Sequence, residues 1–120
     1  MSAILVVDSS NDLLEMFSVM LKKHDFNCVT ANNTNALYKQ LQTNLPDVVL
    51  MDTGLDGIDG REICKELKTR NAFKTIPIIL MSSNSNKLKD YKKYNADAIL
   101  EKPFEMNDLF EVIDGLLHMH

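Results

Sequence analysis

Val48-Val49-Leu50-Met51-Asp52 is an unbroken apolar run that ends on a carboxylate, and Thr53-Gly54-Leu55-Asp56-Gly57 breaks it at once. A continuous apolar run of this length is the pattern of a parallel strand buried on both faces. In an open α/β sheet, ligands bind in the crevice beyond the carboxyl ends of the strands. Asp52 therefore stands where chemistry would occur. Working outward, three more apolar runs end on polar groups. Ile4-Leu5-Val6-Val7 leads into Asp8-Ser9, Ile78-Ile79-Leu80-Met81 into Ser82-Ser83, and Ala98-Ile99-Leu100 into Glu101-Lys102-Pro103-Phe104. Two acids, a hydroxyl and a lysine at successive strand ends make a site for phosphate and a cation.

Strand patterns at residues 3–8, 27–31, 48–52, 77–82 and 98–101 alternate with helical ones. Leu13, Leu14, Phe17, Met20 and Leu21 form one apolar stripe, with Ser10 and Asn11 before it as candidate caps. Ala36, Leu37, Leu41 and Leu45 form a second, stopped by Pro46. Ile63, Cys64 and Leu67 form a third, and Asp59 with Glu62 has the spacing of a capping box. A fourth helix is expected at about 86–94, where only Leu88, Tyr91 and Tyr94 keep register. Leu109, Phe110, Ile113, Leu116 and Leu117 give the last stripe. Five such units predict an α/β fold, a five-stranded parallel sheet covered by helices on both faces. Right-handed crossovers favour the flavodoxin-like three-layer (βα)5 arrangement, strand order 2-1-3-4-5.

The chain has 120 residues, 45% of them hydrophobic, and a formal net charge of -4. That length predicts one domain, residues 1–120, with no output domain. The acidic balance argues against nucleic-acid binding, which usually needs a basic face. No apolar run approaches the roughly 18 residues of a membrane span. Cys28 and Cys64 lie in an unpatterned spacing and, with no signal-peptide pattern, read as reduced, buried thiols of a cytoplasmic protein. Seven methionines at mixed positions read as core filler. His118 and His120 flank Met119 and read as a tail rather than a metal site.

A carboxylate that accepts a phosphoryl group needs a divalent cation held by other oxygens, fixed donors for the transferring oxygens, and an in-line donor. Asp52 supplies the nucleophile and one metal oxygen, Asp8 a second, and the Gly54 backbone carbonyl a third. Lys102 and Ser82 would grip the phosphoryl oxygens, with Thr53 and Ser83 beside them.

Across essentially its whole length the chain resembles the receiver domain of bacterial two-component response regulators. The matching pieces are Ile4-Leu5-Val6-Val7-Asp8, Pro46-Asp47 with the run to Asp52, Leu55 with Gly57 and Asp59-Gly60, Pro77 with the run to Ser82, and Ala96-Asp97 with Lys102-Pro103-Phe104. The resemblance implies a phosphorelay switch rather than an enzyme. Asp52 would be loaded, with Mg2+, from the phosphohistidine of a histidine kinase or phosphotransfer protein. Ser82 would be the switch hydroxyl and Lys102-Pro103 a cis peptide. Receivers of this kind signal through the fourth helix, fifth strand and fifth helix to a downstream protein or output domain. Lys87, Lys89, Lys92, Lys93 and Ile99 lie there, and weak homodimerisation through the same helices is open.

The departures matter. Ser9 stands where the family has a second acid, which weakens attraction for Mg2+ by about 1–4 kcal/mol at surface-like dielectrics, so Ser9 would contribute weakly or through water. Asp56 replaces a common proline and either loosens its loop or brings a substitute carboxylate to the metal. Ile99 replaces the aromatic that reports phosphorylation. Gly54 and Asn84 occupy positions that tune dephosphorylation, and the bare Gly54 suggests a short-lived mark. Two other classes remain open: a degenerate receiver acting as a phosphorylation-independent interaction module, favoured by Ser9 and Ile99, and an enzyme with an aspartyl-phosphate intermediate, for which 120 residues leave no room for a substrate cap.

Overall fold

A computed structural model describes residues 2–118. Five parallel strands build the sheet: β1 (Ala3–Val7), β2 (Asn27–Ala31), β3 (Val48–Asp52), β6 (Ile78–Ser82) and β7 (Ala98–Glu101), in the order β2-β1-β3-β6-β7. Counting sheet strands alone, this is the expected 2-1-3-4-5. Four α-helices flank them: α1 (Asn11–Lys23), α2 (Thr34–Thr43), α3 (Gly60–Leu67) and α4 (Met106–Leu117).

Alternate residues of each central strand feed two separate cores, because successive side chains point to opposite faces. Leu5, Val7, Val49, Met51, Ile78 and Leu80 meet Leu37 and Leu41 of α2 and Ile63, Cys64 and Leu67 of α3. Ile4, Val6, Val48, Leu50, Ile79 and Met81 meet Leu14, Phe17 and Leu21 of α1 and Leu109, Phe110 and Ile113 of α4. Each fully buried Leu or Ile contributes about 1.5–3 kcal/mol of transfer free energy, so these two layers fix the strand register. Ser10 caps α1, its hydroxyl accepting the Leu13 N–H at 3.3 Å. Cys28 and Cys64 are both unpaired, but only Cys64 is buried as expected, Cys28 on the edge strand β2 being half-buried, and burial pushes the Cys64 thiol up to about 12.

Four expectations need correction. The fourth helix is absent: residues 85–94 form two short 3₁₀ turns, Ser85–Lys87 and Tyr91–Tyr94. A continuous helix would set Lys89 and Lys93 one turn apart as like charges, while only the buried Leu88 and the half-buried Tyr91 pack the segment against the core. Leu45 lies beyond the end of α2 and is 57% exposed. Asp59 caps α3 through the Arg61 N–H, but its reciprocal partner is the Arg61 guanidinium, not Glu62. Asp56-Gly57 forms a tight turn between β4 (Gly54–Leu55) and β5 (Ile58–Asp59), an antiparallel pair. Both turn residues have positive φ, 49° and 84°, the backbone of a type I′ hairpin that proline cannot adopt and Asp-Gly favours. The loop is therefore tightened by Asp56, not loosened.

Gly60 holds the third helix against the strand that carries Asp52. A Cβ there would meet the Asp52 carbonyl oxygen at 2.2 Å, whereas a Cβ at Gly115 would meet nothing within 4 Å. Gly60→Ala is expected to destabilise by about 2 kcal/mol or more through backbone overlap. Gly115→Ala, in an exposed helix interior, is expected to stabilise by about 0.5–1 kcal/mol. Urea denaturation of both variants checks the pair of signs.

Candidate functional site

Parallel strands deliver their ends to one rim, and there the acids and the lysine meet. Asp8 directly follows β1 and is 3% exposed. Asp52 is the last residue of β3, paired across the sheet with Met81. Ser82 ends β6 in register with Glu101, and its carbonyl accepts the Lys102 N–H at 2.8 Å. This last bond aims Lys102 back over the rim. Its Nζ lies 2.8 Å from Asp8 Oδ2 and 2.5 Å from Asp52 Oδ2. The Lys102-Pro103 peptide is cis.

The remaining oxygens are also engaged. Asp8 Oδ1 accepts the Ser10 N–H at 2.9 Å, and Asp52 Oδ1 accepts the Gly54 N–H at 2.7 Å. Burial favours the neutral amine of Lys102, but hydrogen bonds from its ammonium to Asp52 and Asp8 outweigh burial and hold it above its ordinary range. Two nearly buried carboxylates and one ammonium leave the site with one net negative charge, suited to a cation or to an electrophilic phosphoryl group.

The other expected site residues are distributed as follows. Ser82 is 4% exposed, and its hydroxyl accepts the Asn84 N–H at 3.1 Å. Ser83 is exposed on the rim of an apolar cleft of about 520 Å³ beside Lys102, walled by Leu13, Met16, Phe17, Phe104 and Met106. Thr53 is 2% exposed and donates its backbone N–H to the Met81 carbonyl. Ser9 is half-buried beside Asp8, and Gly54 is exposed. Lys87 is half-buried in the first 3₁₀ turn, Lys92 and Lys93 are exposed in the second, Lys89 is exposed between them, and Ile99 is half-buried against the core layer that holds Leu88. His118 is exposed, and Met119 and His120 lie outside the described residues.

Among the described residues no three acid, histidine or cysteine side chains converge on a metal position. Asp56, at the hairpin tip, is therefore not a third carboxylate for Asp8 and Asp52. The donors at the rim are two carboxylates and nearby backbone carbonyls. That set fits Mg2+, which is commonly held by one or two carboxylates and keeps several waters, though it is one acid short of a richer site.

Sequence reasoning missed the hairpin at 54–59, although Asp56-Gly57 between Leu55 and Ile58 is the turn's own signature. It also missed Arg61. The Arg61 guanidinium grips Asp59 through Nε at 3.0 Å and Nη2 at 2.8 Å, and lies 5.1 Å from the Tyr94 ring centroid. Nothing in local spacing points to that last contact.

A family model for the response regulator receiver domain matches residues 4–114. The chain is 30% identical over 118 residues to a histidine kinase of Formosa agariphila, covering 97% of this chain and 8% of that protein. It is 30% identical over 117 residues to the phosphate regulon transcriptional regulatory protein PhoB of Pseudomonas aeruginosa, covering 95% of this chain and 51% of that protein. The chain thus spans about half of one of these relatives and a small part of the other. Among solved structures, a putative response regulator from Chloroflexus aurantiacus superposes with a TM-score of 0.89 at 27% identity over 97% of both chains. The response regulator TrrA of Thermotoga maritima, solved in complex with Mg2+ and BeF, gives 0.87 at 29% identity over 98% of this chain and 100% of that one. No helix among the described residues is long and apolar enough to cross a membrane.

The Lys102 ammonium contributes stability in full below the ordinary lysine range, about pH 10.4, and loses it as pH rises through its higher folded value. Lys102→Met leaves two facing carboxylates without their cation. It is expected to cost about 2–3 kcal/mol at pH 7, following the penalty for removing one partner of a largely buried pair. The difference from the parent should narrow as pH climbs past about 10.4. Urea titrations at neutral and alkaline pH measure it.

Proposed function

Because the chain belongs to the response regulator receiver domain family, we propose that it is a phosphoacceptor switch in which Asp52 is phosphorylated by the phosphohistidine of a partner histidine kinase or phosphotransfer protein. The observation that carries this reading is the Lys102 Nζ bridging Asp8 and Asp52 at the rim. An unphosphorylated site built this way keeps a cationic donor within hydrogen-bonding distance of its nucleophile.

In the transfer, an Asp52 carboxylate oxygen attacks phosphorus as the P–N bond to the partner's histidine breaks. The ring nitrogen leaves with the bonding electron pair, and an acyl phosphate forms on Asp52. Lys102 exchanges its bond to Asp52 for one to a phosphoryl oxygen, and the Ser82 hydroxyl swings from the Asn84 N–H to another. Asp8 and Asp52, with the Gly54 carbonyl, would hold Mg2+, which supplies charge neutralisation for the transferring oxygens. Ser9 would reach that ion only weakly or through water. The apolar cleft beside Lys102 offers the donor protein a docking wall within reach of Asp52, and the lysines of the 3₁₀ turns a surface for an acidic downstream partner. Cytoplasmic location agrees with unpaired Cys28 and Cys64.

A second reading is favoured by one observation, the donor set short of an acid at Ser9: a receiver that no longer takes phosphate and acts as an interaction module. Intact mass after incubation with acetyl phosphate and Mg2+ separates the two. The switch predicts one phosphoryl adduct that requires Mg2+ and is absent in Asp52→Asn. No adduct in the parent, with an adduct restored in Ser9→Asp, would favour the module.

Ser9→Asp adds the missing carboxylate and is expected to tighten Mg2+ binding at least tenfold, the order given by one further charge in a partly screened site. Isothermal calorimetry of the unphosphorylated protein reads this directly. Unchanged affinity would remove Ser9 from the metal's surroundings.

A further inference from the structure

With Ile99 in place of a reporting aromatic, the state of Asp52 needs another route to the turns at 85–94. The structure holds a continuous one. Gly54 donates its N–H to Asp52 Oδ1 at 2.7 Å and pairs with Asp59 across the β4–β5 ladder. Gly60, the next residue, binds the Thr53 carbonyl through its N–H at 2.8 Å, and its Cα faces the Asp52 carbonyl too closely to admit a Cβ. Asp59 and Gly60 therefore move with the backbone of the acceptor strand.

Asp59 passes the constraint on. Its carboxylate caps α3 through the Arg61 N–H and grips the Arg61 guanidinium in a two-pronged ion pair. The fork is partly shielded, with side-chain exposures of 21% for Arg61 and 33% for Asp59. A two-pronged pair fixes the plane of the guanidinium, which a single contact would not do. That oriented guanidinium lies 5.1 Å from the centroid of Tyr94, the last residue of the second 3₁₀ turn. Lys92 and Lys93 sit in the same turn, which ends on left-handed Asn95.

We propose that Arg61 is a positioning residue that couples the chemical state of Asp52 to the Tyr91–Tyr94 turn, through Gly54, Asp59 and the face of Tyr94. The inference rests on the phosphoacceptor reading of Asp52. Esterifying either Asp52 oxygen turns its carboxylate into a neutral acyl group, so the charge-assisted bond from Gly54 N–H weakens. The backbone at Thr53–Gly54, where the strand ends, then shifts, Asp59 shifts with it, and the guanidinium re-seats on Tyr94. The 3₁₀ turn is the element that responds, because it is short, lysine-rich and held to the core mainly by Leu88 and Tyr91.

The test is amide chemical-shift mapping on addition of beryllofluoride with Mg2+, a non-covalent stand-in for the phosphoryl group. In the parent, shifts are expected at Thr53–Leu55 and again at residues 91–95. In Arg61→Ala and in Tyr94→Leu the first set should persist and the second fall at least threefold. Tyr94→Phe, which keeps the ring, should restore it. The double variant should fall no further than either single, since both break one link. A full response at 91–95 in Arg61→Ala or Tyr94→Leu would overturn the coupling while leaving the phosphoacceptor reading intact. No response near Asp52 in the parent would overturn both.

Discussion

Two carboxylates face one another at the rim of this sheet only because an ammonium stands between them. Asp8 and Asp52 are nearly buried and lie 44 positions apart in sequence, and each would repel the other in a medium less polar than water. Lys102 arrives from the far side of the sheet, its backbone N–H tied to Ser82, and binds both. The strand order β2-β1-β3-β6-β7 serves this meeting. It sets the ends of β1 and β3 side by side and brings β7 near enough for a lysine to span the gap. Most of what surrounds the rim is a means of holding those three groups at bonding distance.

Much of that was legible in the chain. Unbroken apolar runs marked the central strands because those strands are buried on both faces, and these runs stopped on Asp8, Asp52 and Ser82. Lys102 lies one residue past the end of the half-buried edge strand β7, and the Lys102-Pro103-Phe104 pattern made it legible instead. What was not legible had physical causes. The expected fourth helix rested on Leu88, Tyr91 and Tyr94 alone, and that spacing of three also suits 3₁₀ turns. The β4–β5 hairpin carried its own signal in Asp56-Gly57, but its strands of two residues are too short to show an alternating pattern. Arg61 over Tyr94 joins residues 33 positions apart, and no local pattern encodes such a contact.

The family pattern and the residues disagree at several points, and each disagreement has a local account. Asp56 replaces a proline because the turn needs positive φ. Ser9 removes an acid from a site that already balances two carboxylates with one lysine. Ile99 packs as a plain apolar residue against the core layer that also holds Leu88. These changes alter how the site is tuned while leaving its framework in place.

The division of each central strand between two cores carries a consequence for how such a chain can change length. Along β3 the side chains alternate between layers, Val48 and Leu50 to one and Val49 and Met51 to the other. Removing a single residue before Asp52 would send every following side chain to the wrong layer and turn the carboxylate about the strand axis. Removing two would restore the layers but draw the acid back by about 6–7 Å, at roughly 3.3 Å per residue, out of reach of Lys102. The strand thus works as a ruler with a fixed number of divisions. Changes of length are best absorbed in the exposed connections at the opposite rim, such as residues 44–45 and 69–72, where neither layer nor reach is counted.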